Sequence, residues 1–291
     1  MPAIATIGFF DGVHRGHRYL LSQLQAEAER LGEQPMIFTF VDHPRLVLQG
    51  SCPPLLTTID EREQMLELFA ETHFLDFAQI QPFTAAQFTH YLATHWKVRH
   101  LLLGYNHHFG SDKQSIQTVQ GERAQAKEPE VAFIRAEAYT QRGERPSSTR
   151  IREHLLEGRV SEANDMLGYR YALSGKVVPG KQIGRTIGFP TANVQPPVGK
   201  LVPAAGVYEA RVLPLDRPAL VNIGTNPTVN RHLSIVNRQL SIEAYIPGFE
   251  GDLYDQTITL QFRRRIREEI RFESLDELKA QITNDIKSVK I

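Results

Sequence analysis

The stretch Ile7-Gly8-Phe9-Phe10-Asp11-Gly12-Val13-His14-Arg15-Gly16-His17 closes a β-like run, Ile4 to Phe10, in a glycine-rich turn that carries His14 and His17. Leu20, Leu21, Leu24, Ala28 and Leu31 then recur at helical spacing, so the histidines fall on the first helical turn or just before it. Strand, tight turn and helix start gather backbone N–H groups and the positive end of a helix dipole at one point, and two imidazoles add donors there. Such a place suits a nucleotide phosphate. Two plainer readings of a His-x-x-His pair are a capped surface helix and a zinc site. With one cysteine, Cys52, no Cys-rich zinc cluster can form, and the acidic neighbour of a zincin motif is missing.

Around this block the first half of the chain alternates strand-like and helix-like windows. Pro35 to Phe40, Phe74 to Ile80 and His100 to Gly104 read as strands, and Glu61 to Ala70 and Ala85 to Trp96 as helices. That alternation predicts an α/β domain with a parallel sheet, in which ligands gather at the carboxyl ends of strands, where the Gly12 turn lies. After Gly168 the texture changes. Tyr171 to Val178, Val207 to Leu213, Ala219 to Ile223, Leu240 to Ile246 and Thr257 to Phe262 read as strands joined by Gly, Pro and Asn turns, which predicts an antiparallel β-barrel or sheet. A terminal helix opens at Ser274 and Glu277 in capping-box spacing, with Leu275, Leu278, Ile282, Ile286 and Val289 as its apolar stripe. The expected domains are residues 1–168 and 169–291.

Thirty-three Lys plus Arg balance thirty-three Asp plus Glu in 291 residues, which argues against a nucleic-acid partner. Arg263, Arg264 and Arg265 form the densest basic run, but Glu268 and Glu269 follow, so a solvated mixed-charge face is expected. A lone cysteine permits no intrachain disulfide, and no charged segment leads into an apolar stretch like a secretory signal. No apolar run approaches the roughly 18 to 20 residues that cross a bilayer. A soluble, cytoplasmic protein without a membrane partner is the expectation; oligomeric state is open.

The opening block resembles the signature of the nucleotidyltransferase superfamily, and within it Gly-x-Phe-Asp-Gly-Val-His-x-Gly-His is similar to the adenylyltransferase half of bacterial bifunctional riboflavin kinase/FAD synthetases. Three later segments extend the likeness. Thr39-Phe40-Val41-Asp42-His43-Pro44 resembles Thr-Phe-x-Pro-His-Pro, with Asp42 replacing the usual proline. Gly104-Tyr105-Asn106-His107-His108-Phe109-Gly110 resembles Gly-x-Asp/Asn-x-x-Phe-Gly, with His107 where an aromatic is common. Pro146-Ser147-Ser148-Thr149-Arg150-Ile151-Arg152 matches a Ser-Ser-Thr-x-Ile-Arg element. The resemblance implies a Rossmann-like domain that moves AMP from ATP onto FMN and releases pyrophosphate. It assigns His14 and His17 to phosphate stabilisation, and Gly8, Phe9, Phe10, Asp11, Gly12, Asn106, Arg145, Ser148, Thr149 and Arg152 to nucleotide or flavin binding. Hydroxyls and N–H groups at a helix start beside two arginines also suit a triphosphate on physical grounds, although an ordinary Ser/Thr cap reads the same way.

In the second half, Gly175 to Gln182 comes within one residue of a P-loop, but Gln182 stands where the Mg²⁺-binding hydroxyl belongs and no helix follows, so a P-loop NTPase is rejected. Gly184-Arg185-Thr186-Ile187-Gly188-Phe189-Pro190-Thr191-Ala192-Asn193 instead resembles the hallmark of riboflavin kinases. The likeness continues through Pro203 to Tyr208, Asn222 to Thr228, Ile242 to Tyr245 and Ile266 to Glu269. It implies a loop over ATP made by Gly184, Gly188 and Pro190, a Mg²⁺ site at Thr191 and Asn193, Glu243 as catalytic base and Arg267 as a flavin-orienting or loop-closing residue. On strand geometry alone Glu243 also reads as solvent-facing, since Ile242 and Ala244 point the other way. The implied activities convert riboflavin and ATP to FMN and ADP, then FMN and ATP to FAD and pyrophosphate, with Mg²⁺ accompanying ATP. The alternatives are a riboflavin kinase whose first domain is slow or inactive, a flavin-binding regulator without catalysis, and a cytidylyltransferase, which leaves the second half unexplained.

Overall fold

Five fully buried residues, Ala3–Ile7, form β1 at the centre of a parallel sheet. The computed structural model describes residues 1–104, 111, 131–141, 143–180, 183–225 and 240–289. Packing divides the chain into two units, Met1–Ser147 and Ser148–Ile291. In the first, β2 (Gln34–Phe40), β3 (Glu71–Leu75), β4 (Val98–Leu103) and β5 (Ala132–Arg135) join β1 in the order β3-β2-β1-β4-β5, all parallel. Alternate residues face opposite sides, so Ile4, Ile37 and Leu102 pack with Leu21, Leu24 and Ala28 of α1 (Arg15–Leu31), while Ala5, Phe38 and Leu101 pack with Phe88 and Leu92 of α5 (Ala85–Trp96). Each leucine so buried contributes roughly 1.5–3 kcal/mol. Strand order reverses between β1 and β4, which makes the carboxyl end of β1 the switch-point crevice of this sheet.

Shorter elements refine the sequence expectation. Phe74 to Ile80 is not one strand: β3 stops at Leu75, Asp76 accepts a hydrogen bond from the Ala78 N–H at 2.9 Å, and α4 (Phe77–Ile80) begins. The segment before it holds α2 (Pro44–Gln49), which buries none of its residues, and α3 (Ile59–Glu67), opened by a complete capping box between Thr58 and Glu61.

The second unit begins with α6 (Ser148–Leu156) and α7 (Val160–Leu167), then closes a barrel from β6 (Ala172–Val178), β7 (Thr191–Gln195), β8 (Gly206–Leu213), β9 (Arg217–Thr225), β10 (Leu240–Tyr245) and β11 (Thr257–Arg267), all antiparallel in the order β10-β7-β6-β11-β8-β9. A four-residue helix, α8 (Ile183–Thr186), precedes β7 and α9 (Leu275–Ser288) ends the described chain. Asn164 fastens α7 to the barrel: its Nδ2 donates to the Phe262 carbonyl at 2.9 Å and its Oδ1 accepts from the Tyr171 N–H at 2.7 Å.

The arginine run stays exposed and mixed in charge, as expected, but its main acidic partner is a buried one on another strand. A bulge after Phe262 sets both Arg263 and Arg264 against Glu209 of β8, whose side chain is 4% exposed and accepts from them at 2.5 and 2.7 Å. Burial pushes the Glu209 carboxyl up, but the two guanidinium partners more than reverse this and hold it below the usual range. Only Arg265 keeps the expected acidic neighbour, Glu268, at 3.6 Å.

Candidate active sites

The first site grows out of the carboxyl end of β1. Phe10 to Val13 form a turn closed by the Val13 N–H donating to the Phe10 carbonyl at 2.9 Å, and Phe10, Gly12 and Val13 all take positive φ, 53°, 79° and 31°. For a β-branched residue such as Val13 that conformation is strained and needs support. Asp11 supplies it. Its buried carboxylate accepts from the N–H groups of Leu56 and Thr57 and from the Thr57 hydroxyl, each at 3.0 Å, while the Gly12 N–H donates to Thr57 Oγ1 at 3.1 Å. Phe10 and Val13 turn into the core below.

His14 caps α1. Its Nδ1 accepts from the His17 N–H at 3.2 Å, so the neutral ring carries its proton on Nε2. The two imidazoles stack with centroids 3.6 Å apart and planes 17° from parallel, and Phe10 meets His17 edge-on. Burial pushes His14 down to about 4, and burial together with the His14 neighbour pushes His17 well below the usual imidazole range. Both rings are therefore neutral donors at neutral pH. His17 Nδ1 is buried and has no hydrogen-bond partner among the described residues.

Two of the three later segments reach this turn. Thr39 Oγ1 donates to the Phe9 carbonyl at 3.2 Å and the His43 ring lies 4.6 Å from that of Phe9, so the segment after β2 joins the signature loop. A β-carbon on Gly16 would stand 3.2 Å from the His14 ring and 3.7 Å from the Pro146 carbonyl oxygen, which brings the stretch after Arg145 to the first turn of α1. Asn106 and His107 lie outside the described residues. Asp42 is exposed; Ser148, Thr149 and the buried Arg152 sit on α6 in the second unit. Sequence reading missed Arg62 of α3. Only 1% exposed, it donates to the Phe40 carbonyl at 2.6 Å and stacks 4.1 Å from the Phe9 ring centroid; burial lowers it to about 10, partly countered by Asp11.

The second site is a cavity of about 290 Å³ between the outer face of the barrel and α9. Register builds its floor. Glu243 of β10 pairs with Asn193 on β7 and with Asn222 on β9, which pairs in turn with Val207 on β8. Cross-strand partners share a face, and all four line the cavity while Ile242, Ala244, Val221 and Ile223 fill the barrel interior. Glu243 thus faces neither the core nor open solvent. Thr191 Oγ1 donates to its Oε2 at 3.3 Å. Thr191 and Asn193 lie two residues apart on β7, on the same face as Glu243. Leu220, Tyr245, Phe272 and Ile282 give the cavity an apolar side. Gly184 borders it, and a smaller cavity of about 80 Å³, lined by Arg185, Pro190, Phe249 and Tyr254, shares Thr191 with it. Gly188 has φ 88° in the turn between α8 and β7.

Family profiles match both halves: one described as FAD synthetase covers residues 1–150, and one described as riboflavin kinase covers residues 167–291. The bifunctional riboflavin kinase/FMN adenylyltransferase of Escherichia coli (strain K12) is 36% identical over 292 residues, spanning 97% of this chain and 90% of its own. That of Bacillus subtilis (strain 168) is 31% identical over 293 residues, with the same coverage. The chain belongs to the bifunctional riboflavin kinase/FMN adenylyltransferase family. A crystal structure of a macrolide-efflux protein from Streptococcus pneumoniae, 29% identical, has a TM-score of 0.85 and covers 99% of this chain and 94% of that one. Among the described residues no helix is long and apolar enough to cross a membrane.

Two further residues of this family member carry no role in the sequence reading. Asp285, 3% exposed, accepts from Arg267 Nε and Nη2 at 3.0 and 2.8 Å and ties α9 to β11 beside the cavity. Its signal is an acid inside the apolar stripe of a helix. Asn222 shows the same kind of signal, an amide between two strand positions that point into the core. The apolar stripe itself holds at Ile282, Ile286 and Val289, but Leu275 is 56% exposed.

The lowered histidines fix a sign for acid stability. Unfolded His14 titrates near 6.5 and folded His14 near 4, so between these values the unfolded state binds more protons and stability falls as pH drops. Urea melts of the first unit's transition are expected to show a midpoint that declines from pH 6.5 toward 4, with a shallower decline in His14→Asn, which keeps a capping acceptor. Equal pH slopes in the two proteins contradict this account.

Proposed function

We propose that the chain makes FAD in two ATP-dependent steps, one in each unit: the second phosphorylates riboflavin to FMN and releases ADP, and the first adenylylates FMN and releases pyrophosphate. The observation that carries this reading is the row Asn193–Glu243–Asn222 in a cavity with one polar and one apolar side, inside the segment matched by the riboflavin kinase profile.

In the kinase step the flat, largely apolar flavin ring occupies the side formed by Val207, Leu220 and Ile282, and the nucleotide enters the smaller cavity. Thr191 belongs to both, which puts phosphates next to Glu243. Glu243 guides the proton from the ribityl 5′-hydroxyl as that oxygen attacks the γ-phosphorus and ADP leaves. The Thr191 hydroxyl holds the carboxylate in place, and Arg267, anchored by Asp285, shapes the wall of the flavin side. Thr191 and Asn193 offer a hydroxyl and an amide oxygen on one face, hard donors that fit Mg²⁺ sharing its shell with phosphate oxygens. Bound with ATP, the cation neutralises phosphate charge.

In the adenylyl step an FMN phosphate oxygen attacks the α-phosphorus of ATP and pyrophosphate departs, so no protein nucleophile is needed. Alignment and donors are. His14 presents Nε2–H and His17 a second neutral imidazole at the positive end of α1, and Gly8, Phe9 and Gly12 bring backbone close to the nucleotide. Neutral rings donate hydrogen bonds here instead of full positive charge. Asn106, Arg145, Ser148, Thr149 and Arg152 keep their nucleotide or flavin contacts on the motif match alone. With both imidazoles present and the FAD synthetase profile spanning residues 1–150, a silent first unit has no observation in its favour. ATP as co-substrate and one cysteine suit a cytoplasmic setting.

His17→Ala is expected to slow FAD formation from FMN by about 10²–10³-fold, the scale of a lost oxyanion donor, while leaving FMN formation from riboflavin intact. Glu243→Gln is expected to do the reverse. Product chromatography with each flavin, ATP and Mg²⁺ reads both. Equal loss of the two activities in the His17 variant, or an unaffected kinase rate in the Glu243 variant, defeats the respective assignment.

A further inference from the structure

We infer that Asn222 reads an internal hydroxyl of the ribityl chain and so sets the kinase's specificity for its vitamin substrate. The inference rests on the kinase reading above and adds a residue and a direction to it. Along the cavity floor the order across strands is Asn193, Glu243, Asn222, Val207. Thr191 and Asn193 mark the phosphate side, since Thr191 also lines the nucleotide cavity. A ribityl chain whose 5′-oxygen meets Glu243 and faces phosphate on that side has to leave in the other direction. It therefore passes over Asn222 before its flavin ring reaches Val207 and Ile282.

Neighbouring strands lie about 4.8 Å apart, so Asn222 stands one strand spacing from the base, within reach of the 3′- or 4′-hydroxyl of a chain held there. Its chemistry suits that contact. A carboxamide offers both a donor and an acceptor, as a secondary hydroxyl requires, and the Asn222 side chain makes no hydrogen bond among the described residues. The Thr191 hydroxyl, by contrast, is already engaged with Glu243. Val221 and Ile223 on either side are fully buried in the barrel core, so strand alternation fixes the face that Asn222 presents, and shortening it removes no core atom.

A polar group placed to meet a hydroxyl penalises an analogue that lacks it, because the group is then left unpaired. The test compares kcat/KM for riboflavin, 3′-deoxyriboflavin and 4′-deoxyriboflavin in the full chain and in Asn222→Ala and Asn222→Ser. The unmodified protein is expected to disfavour one analogue by about tenfold or more. In Asn222→Ala that preference is expected to fall to within about twofold, through loss of activity on riboflavin itself, with Asn222→Ser in between. If either variant does not fold, the other carries the comparison. Undiminished discrimination in the variants, or no discrimination against either analogue in the unmodified protein, overturns the role of Asn222. Absence of FMN from riboflavin in the unmodified protein overturns the kinase reading instead.

Discussion

A buried carboxylate has to be given hydrogen bonds, and Asp11 obtains its bonds from Leu56 and Thr57, which sit far along the chain. That requirement holds a turn at the end of β1 in which Phe10, Gly12 and Val13 take positive φ, strained at the two that are not glycine. Strain of this kind costs on the order of 1–3 kcal/mol per residue, and hydrogen bonds to a charged acceptor contribute roughly 1.5–3 kcal/mol each, so the network is of the size needed to keep the turn in one form. The geometry that follows depends on it. With Asp11 and Gly12 fastened to Thr57, Phe10 and Val13 are driven into the core, His14 arrives at the start of α1 with extended backbone, and the helix axis aims its positive end at the crevice beside β1. Arg62 reinforces the arrangement from below by joining the Phe40 carbonyl to the Phe9 ring.

The barrel reaches a comparable result by register. Its interior is closed by Val221, Ile223, Ile242 and Ala244, so every alternate residue on β9 and β10 has to face outward. On most barrels such positions meet water. Here α9 covers them, held by the Arg267–Asp285 pair and by Ile282, Ile286 and Val289 against Val207 and Leu220, and an outward row of polar residues becomes the floor of a cavity. A carboxylate, two amides and a hydroxyl are thereby placed by backbone pairing, with little demand on loops. Both chemistries call for alignment and donors more than for reactive side chains; the barrel offers polar groups on strands, and the first unit on a braced turn and the start of α1.

Periodicity carried much of this. Ala85–Trp96 appears as read, because Thr84 caps it and its apolar residues fall on one stripe, and the strands around Met36 to Phe40 and Val207 to Leu213 were marked by β-branched and aromatic runs. Reading failed where one residue type serves two ends. Asp76 begins a helix inside what looks like a strand, and Thr191 to Gln195, outside every strand window in the sequence, become a strand through their partners on β6 and β10. The main partner of the arginine run was hidden, because Glu209 lies on another strand and a bulge brings two consecutive arginines to it. At the sites, motifs pointed to His14, His17, Thr191, Asn193 and Glu243. The neutrality of the histidines was hidden, since burial is a property of the folded chain, and Arg62, Asn222 and Asp285 gain meaning only from neighbours distant in sequence.

The central claim is that one polypeptide holds two separate places for ATP. Titration calorimetry with a non-hydrolysable ATP analogue and saturating Mg²⁺ tests it most directly. Two nucleotides bound per chain is the predicted result; saturation at one contradicts the account.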